Sequence, residues 1–293
     1  AMRIVDRLKR ARPVSLGLTA LDVGLRRALY ADRGRRPVVS PAARDVVRAL
    51  RRDGVVFLPG YWSRDRCERA RAAVDRLMAA HPERVWQDPV DADHRLYGLE
   101  RVDPDARAFL DDPLLAEVAA VYLRARLEPR MVSAGRLDAA PGNIGSGAQS
   151  WHRDGVTQPL KGILYLSDVG PEDGPMEYVK GTVRLRDQLR HIARSGAVFR
   201  QLNWDDAGVA RLERTAPGSV VTCTAAAGTL VLANTFGVHR GRPATRGPRY
   251  ALTSYYFAPR TLPMVAAYYD RQLVQVDGGT LGEALRGTER APH

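Results

Sequence analysis

Nothing in this chain constrains its fold more than the pairing of His152 and Asp154 with a second histidine, His239, far downstream. Two imidazoles and one carboxylate, with no thiolate nearby, suit a borderline divalent metal. They leave half of an octahedron open, which is the pattern of non-haem Fe(II) sites. His152 and Asp154 are two apart, so they share a face only if their segment is extended. The third ligand must then come from another strand brought alongside. Taken singly these residues have plainer readings: a His-x-Asp pair arises by chance in solvated turns, and a lone histidine often just ends a strand.

The surroundings favour the combination. His239 closes the apolar run 228–238, which reads as one buried strand delivering a polar end. Arg249 opens the β-branched and aromatic run 250–257, a second strand a hairpin away. An arginine placed there can grip the far end of a dicarboxylate through a bidentate fork. Arg246, in the same loop, is its rival for that role.

The series of segments resembles the phytanoyl-CoA dioxygenase family of Fe(II)/2-oxoglutarate-dependent oxygenases. The segment 52–61, Arg-Asp-Gly-Val-Val-Phe-Leu-Pro-Gly-Tyr, resembles the family's N-terminal strand and turn before a helix. The segment 173–182, Asp-Gly-Pro-Met-Glu-Tyr-Val-Lys-Gly-Thr, resembles its piece between the ligand pair and the distal histidine. The likeness runs from about Pro41 to Pro259. It implies a mainly β fold with flanking helices, a double-stranded β-helix (jelly roll, cupin-like). It also implies Fe(II) held by the catalytic residues His152, Asp154 and His239, with O2 and the cosubstrate 2-oxoglutarate completing the chemistry. Arg249 would take the 5-carboxylate, with Gln149 and Thr182 as further cosubstrate contacts. Halogenating relatives lack the metal-binding carboxylate, so Asp154 points to hydroxylation, ring closure or desaturation of a small molecule, with release of succinate and CO2. The chain departs from the family in His239-Arg240-Gly241, where a hydroxyl often follows the histidine, and in Ile163, where an aromatic residue is common.

Two alternatives use the same residues differently: a cupin-like metalloenzyme without 2-oxoglutarate, and a non-catalytic jelly-roll binding protein. Arg249 argues against the first. The intact His/Asp cluster, costly to bury without a ligand, argues against the second.

The formal charge of +12 raises the question of nucleic acid. The positive charge is nearly all arginine, since lysine occurs only at Lys9, Lys161 and Lys180. Arginines 64, 66, 69, 71 and 76 alternate with acidic residues on one helix, the pattern of a solvated face. The partner expected is therefore a small molecule, of natural-product or sugar type, with no nucleic acid and no membrane; oligomeric state does not follow from the sequence. No apolar run approaches the roughly 20 residues that span a bilayer, and the basic N-terminus lacks the apolar core of a secretory signal. Cys67 and Cys223 form no framework, which fits a reducing cytoplasm.

Three parts are expected: a basic lead-in at 1–39 with one helical stretch, an oxygenase domain at 40–260, and a tail at 261–293 with a short helix. Within the domain, Ser40-Pro41 and Ser63 read as helix starts. The acidic, proline-broken stretch 88–112 reads as a polar surface loop or one wall of an entrance. With 141–147 and 184–206 it would bound the substrate's approach. Tyr97, Trp151 and Trp204 are the candidate substrate contacts, each reading equally well as packing.

Overall fold

The computed structural model describes residues 11–30, 39–123, 130–145, 147–154, 160–198, 201–257 and 275–279. Helix α1 (Arg12–Tyr30) precedes α2 (Pro41–Asp53), which starts where the sequence says it should. The Ser40 hydroxyl accepts from Ala43 N, Pro41 occupies the first turn, and Gly54 at φ 85° closes the helix by donating to Leu50 O. Next come β1 (Val55–Leu58) and α3 (Arg64–Ala80), the latter capped by Ser63. The chain continues through β2 (Trp86–Gln87), β3 (Asp93–Tyr97), α4 (Pro104–Leu110), α5 (Pro113–Leu123) and β4 (Arg130–Leu137). It then forms β5 (Leu160–Tyr165), β6 (Met176–Val179), α6 (Leu185–Ser195) and α7 (Asp206–Thr215). Strands β7 (Val220–Thr222), β8 (Leu230–Ala233), β9 (His239–Gly241) and β10 (Arg249–Tyr256) complete the fold.

Seven strands form one antiparallel sheet in the order β1-β8-β5-β10-β4-β3-β2, and three form a second, β7-β6-β9. The period of two along each strand divides the large sheet into unlike faces. One face presents Leu96, Val132, Ala134, Leu160, Leu164, Leu230, Leu232 and Leu252 to α2, α3, α4 and α5, and these residues form the main core. Each such leucine contributes about 1.5–3 kcal/mol by leaving water. The opposite face turns toward the small sheet, where Val55, Tyr165, Val231, Ala233 and Ala251 pack against Met176 and Tyr178. This is the jelly roll. Helix α1 rests on α6, outside both sheets. Among the described residues no helix is long and apolar enough to cross a membrane.

Two expectations change. The run 228–238 is not one strand: β8 stops at Ala233, and His239 opens β9 in the other sheet. The reason is Asn234, whose Oδ1 accepts from Phe236 N while its carbonyl accepts from Gly237 N, a turn that competes with the ladder. The stretch 88–112 is not a surface loop either. Residues 93–97 pair with β4 as β3, which aligns Asp93 with Leu137 and Arg95 with Gly135. The expected C-terminal helix lies outside the described residues; the described piece 275–279 docks on β3, with Val276 N donating to Tyr97 O at 2.8 Å.

Candidate active site

The two histidines meet through their backbones. His152 N donates to His239 O at 2.8 Å and His239 N donates to His152 O at 2.9 Å. Their rings lie 4.3 Å apart, centroid to centroid. Asp154 N is fixed by Thr235 O at 2.9 Å, so its carboxylate comes round to the same point, 3.6 Å from His152 Nε2. One donor atom from each of His152, Asp154 and His239 lies within 4.8 Å of the other two.

Proton placement suits a metal. His152 Nδ1 sits 2.7 Å from Ser150 O and His239 Nδ1 sits 2.9 Å from Gly237 O. A carbonyl only accepts, so each Nδ1 carries the proton and each Nε2 keeps its lone pair for a cation. Burial pushes the His239 imidazole down to about 4, which keeps it neutral. For Asp154, burial pushes the carboxyl upward, but Lys161, His152 and His239 together hold it well below the usual carboxylate range. Lys161 Nζ lies 2.7 Å from Asp154 Oδ2. Burial works against the Lys161 ammonium, and Asp154 more than offsets it, so the lysine stays charged.

Tyr178 sets the height of His239. The two rings stack at 6.5 Å, and the Tyr178 hydroxyl donates to Asn234 O at 2.8 Å. That placement depends on two glycines: a Cβ on Gly54 would lie 2.3 Å from this hydroxyl oxygen, and one on Gly237 would lie 1.9 Å from it. Asparagine 234 is in turn anchored by donating to the Tyr122 hydroxyl at 2.7 Å.

His152 and His239 line a cavity of about 120 Å³. Arg249, the first residue of β10, lines it too, donating to Gly174 O while its Nε has no partner among the described residues. Burial lowers the pKa of this guanidinium while Tyr165 and Asp93 oppose the shift through space; it remains a cation, and among the described residues it forms no ion pair. Arg246 is elsewhere, forked onto Asp173 at 2.9 Å through two nitrogens with its side chain 64% exposed. Gln149 lines the cavity and is held by Asn143 at 2.9 Å and Asp88 at 3.3 Å.

Four of the expected contacts take other places. The Thr182 hydroxyl is already committed, donating to Val179 O at 2.7 Å and accepting from Val238 N at 2.9 Å, so it braces the approach to His239. Trp151 donates to Asp206 and packs with Val179, Val209 and Leu212. Trp204 packs on the same cluster, with the Arg153 guanidinium 5.1 Å from its ring centre. Tyr97 is buried in β3 and absent from the cavity wall. The described residues of the stretch 184–206 contribute no lining residue either. In their stead the wall carries Asp93, Arg95, Ser133, Lys161, Thr253, Tyr255 and Arg240. Alternation could have found Lys161, which shares a face with Ile163 and Tyr165, whereas Asp93 and Arg95 share one with Tyr97 only once β3 is seen paired with β4.

The chain shares its fold with several solved structures. EctD from S. alaskensis, solved with 2-oxoglutarate and 5-hydroxyectoine, superposes with a TM-score of 0.55 at 17% identity, covering 78% of this chain and 79% of that one. The 2-oxoglutarate-dependent carbocyclase SnoK of nogalamycin biosynthesis gives 0.51 at 20% identity, over 75% and 87%. HygX from Streptomyces hygroscopicus, solved with nickel and 2-oxoglutarate, gives 0.50 at 17%, over 76% and 88%. Curated protein sequences offer no match. The phytanoyl-CoA dioxygenase family model, however, matches residues 50–251, from the end of α2 into β10, and so encloses His152, Asp154, His239 and Arg249. By that match the chain belongs to the phytanoyl-CoA dioxygenase family of Fe(II)/2-oxoglutarate-dependent oxygenases.

Proposed function

We propose that the protein hydroxylates an unactivated C–H bond of a small molecule, a natural-product or sugar-type metabolite, with His152, Asp154 and His239 as the iron ligands and Arg249 as the anchor of 2-oxoglutarate. The observation that carries this reading is the convergence of three donors beside a cavity whose wall also holds a guanidinium with no ion-pair partner among the described residues. When bound, iron and 2-oxoglutarate together activate dioxygen toward the substrate, and succinate and CO2 leave.

The chain's own residues do the positioning. Ser150 O and Gly237 O fix the imidazole tautomers, so neither histidine must shed a proton to bind a metal. Lys161 keeps Asp154 ionised and steers one carboxylate oxygen away from the imidazoles. Arg249 is rigidly held by its strand and by Gly174 O, which suits a bidentate grip on a distal carboxylate. Ile163 and Ala251 give that part of the cavity an apolar lining. Gln149 is the second cosubstrate contact in this reading. The buried thiols Cys67 and Cys223 fit a reducing compartment, and we place the protein in the cytoplasm.

The test is oxygen uptake and succinate release with Fe(II), ascorbate and 2-oxoglutarate. The reading predicts succinate formation that stops on chelation and returns with Fe(II). Oxygen uptake without succinate would point to the cupin-like alternative.

A further inference from the structure

The charges around the proposed metal position do not balance. Among the described residues the cavity wall holds the cations Arg95, Lys161, Arg240 and Arg249. Arg95 has Asp93, Arg240 has both Glu177 and Asp206, and Lys161 has Asp154, while among the described residues no carboxylate lies within ion-pair distance of Arg249. A divalent metal and a dianionic cosubstrate cancel one another, so the group formed by these two with Asp154, Lys161 and Arg249 keeps one positive charge in excess. Its position follows from the proposed function, on which this step rests. With one cosubstrate carboxylate on the metal and the other on Arg249, Asp154 must serve both the metal and Lys161. The uncompensated charge is then at Lys161.

That ammonium is well placed to receive a ligand. Lys161 is directly opposite Tyr255 in the β5–β10 ladder, with Nζ 5.2 Å from the ring centre, and its side chain keeps 17% exposure. Ser133, Thr253 and Ile163, one step along the same face, line the cavity beside it. It is also one of only three lysines in a chain with 45 basic residues. A net buried charge is costly unless something pairs with it.

We infer that the substrate carries a carboxylate, or an equivalent single negative charge, and that Lys161 binds it next to the metal, making this lysine a determinant of substrate specificity. A single ammonium flanked by hydroxyls matches a monoanion. A phosphate dianion would need a second unpaired cation, and among the described lining residues Arg249 is already assigned.

Matched probes test this on the protein loaded with Fe(II) and 2-oxoglutarate in the absence of oxygen. Propionate and propionamide have nearly the same shape and differ in charge. Binding near the iron is read from paramagnetic broadening of the probe's NMR lines. Propionate should bind at least about tenfold more tightly than propionamide, the share of one charge-assisted contact. Lys161→Met should erase that preference and Lys161→Arg should retain part of it. Equal affinities in the parent protein, or a preference that survives in Lys161→Met, overturn the inference. The parent comparison stands even if Lys161→Met fails to fold. The charge-transfer absorption of the iron–cosubstrate complex is recorded first, and its absence would overturn the cosubstrate reading itself.

Discussion

The two faces of the large sheet are made of the same strands and have opposite characters. Along β10, Tyr250, Leu252 and Tyr256 point to the helices, while Arg249, Ala251, Thr253 and Tyr255 point to the cavity. On β5 the split is Leu160 and Leu164 against Lys161, Ile163 and Tyr165. The outer face is apolar and close-packed, and its residues hold the strands in register. The inner face carries buried charges that cost stability and are tolerated because the outer face holds the scaffold rigid. Stability and chemistry are thus separated by one residue of register.

The comparison breaks if changes on the inner face unfold the protein or changes on the outer face alter ligand affinity. The largest effect belongs to His239→Ala, which should lower turnover by about a thousandfold or more, while the thermal midpoint of the metal-free protein stays close to the parent's. Next is Leu252→Ala on the outer face, expected to cost about 2–5 kcal/mol. The fraction that remains folded should bind 2-oxoglutarate as before, as chemical denaturation and calorimetry would show. Arg249→Leu should weaken 2-oxoglutarate by roughly a hundredfold, about 3 kcal/mol. Stability should hold or rise, since a buried unpaired cation is removed.

A residue off the sheet sharpens the contrast. Burial pushes the His191 imidazole in α6 down to about 4, and Arg153 and Arg190 add to the effect while Asp187 opposes it. An unfolded histidine titrates near 6.5, so between about 6.5 and 4 the unfolded chain binds the proton that the folded one refuses. Stability must therefore fall as pH drops through that window, by at most about 3 kcal/mol from this group. His191→Gln should flatten that slope and leave cosubstrate affinity alone. The smallest effect is Ser40→Ala, which removes a helix cap for about 1 kcal/mol.

Legibility from the sequence followed the same division. Helix caps at Ser40 and Ser63 and the apolar periodicities were readable because local chemistry dictates them. The convergence of His152, Asp154 and His239 was readable because few residue types suit a metal at that spacing. What escaped was the consequence of pairing. Acidic, proline-broken composition hid β3, whose inward alternation becomes visible only beside β4. Asn234 looked like one more residue of a strand, yet its side chain bends the chain and passes His239 to the second sheet. The aromatic residues nearest the motif, Trp151 and Trp204, drew attention by sequence proximity. In an extended segment, however, the neighbour of a ligand points the other way. Lys161 was counted as part of a net charge, although its partner, Asp154, was already singled out.

The most direct test of the central claim is an oxygen-free calorimetric titration of 2-oxoglutarate into the protein with and without Fe(II). Parent, Leu252→Ala and Arg249→Leu are compared at a temperature where all are folded. One equivalent should bind per chain only when Fe(II) is present, with equal affinity in the parent and Leu252→Ala and roughly a hundredfold less in Arg249→Leu. Binding that ignores the metal, or an Arg249→Leu affinity equal to the parent's, would contradict the assignment of the inner face as the cosubstrate site.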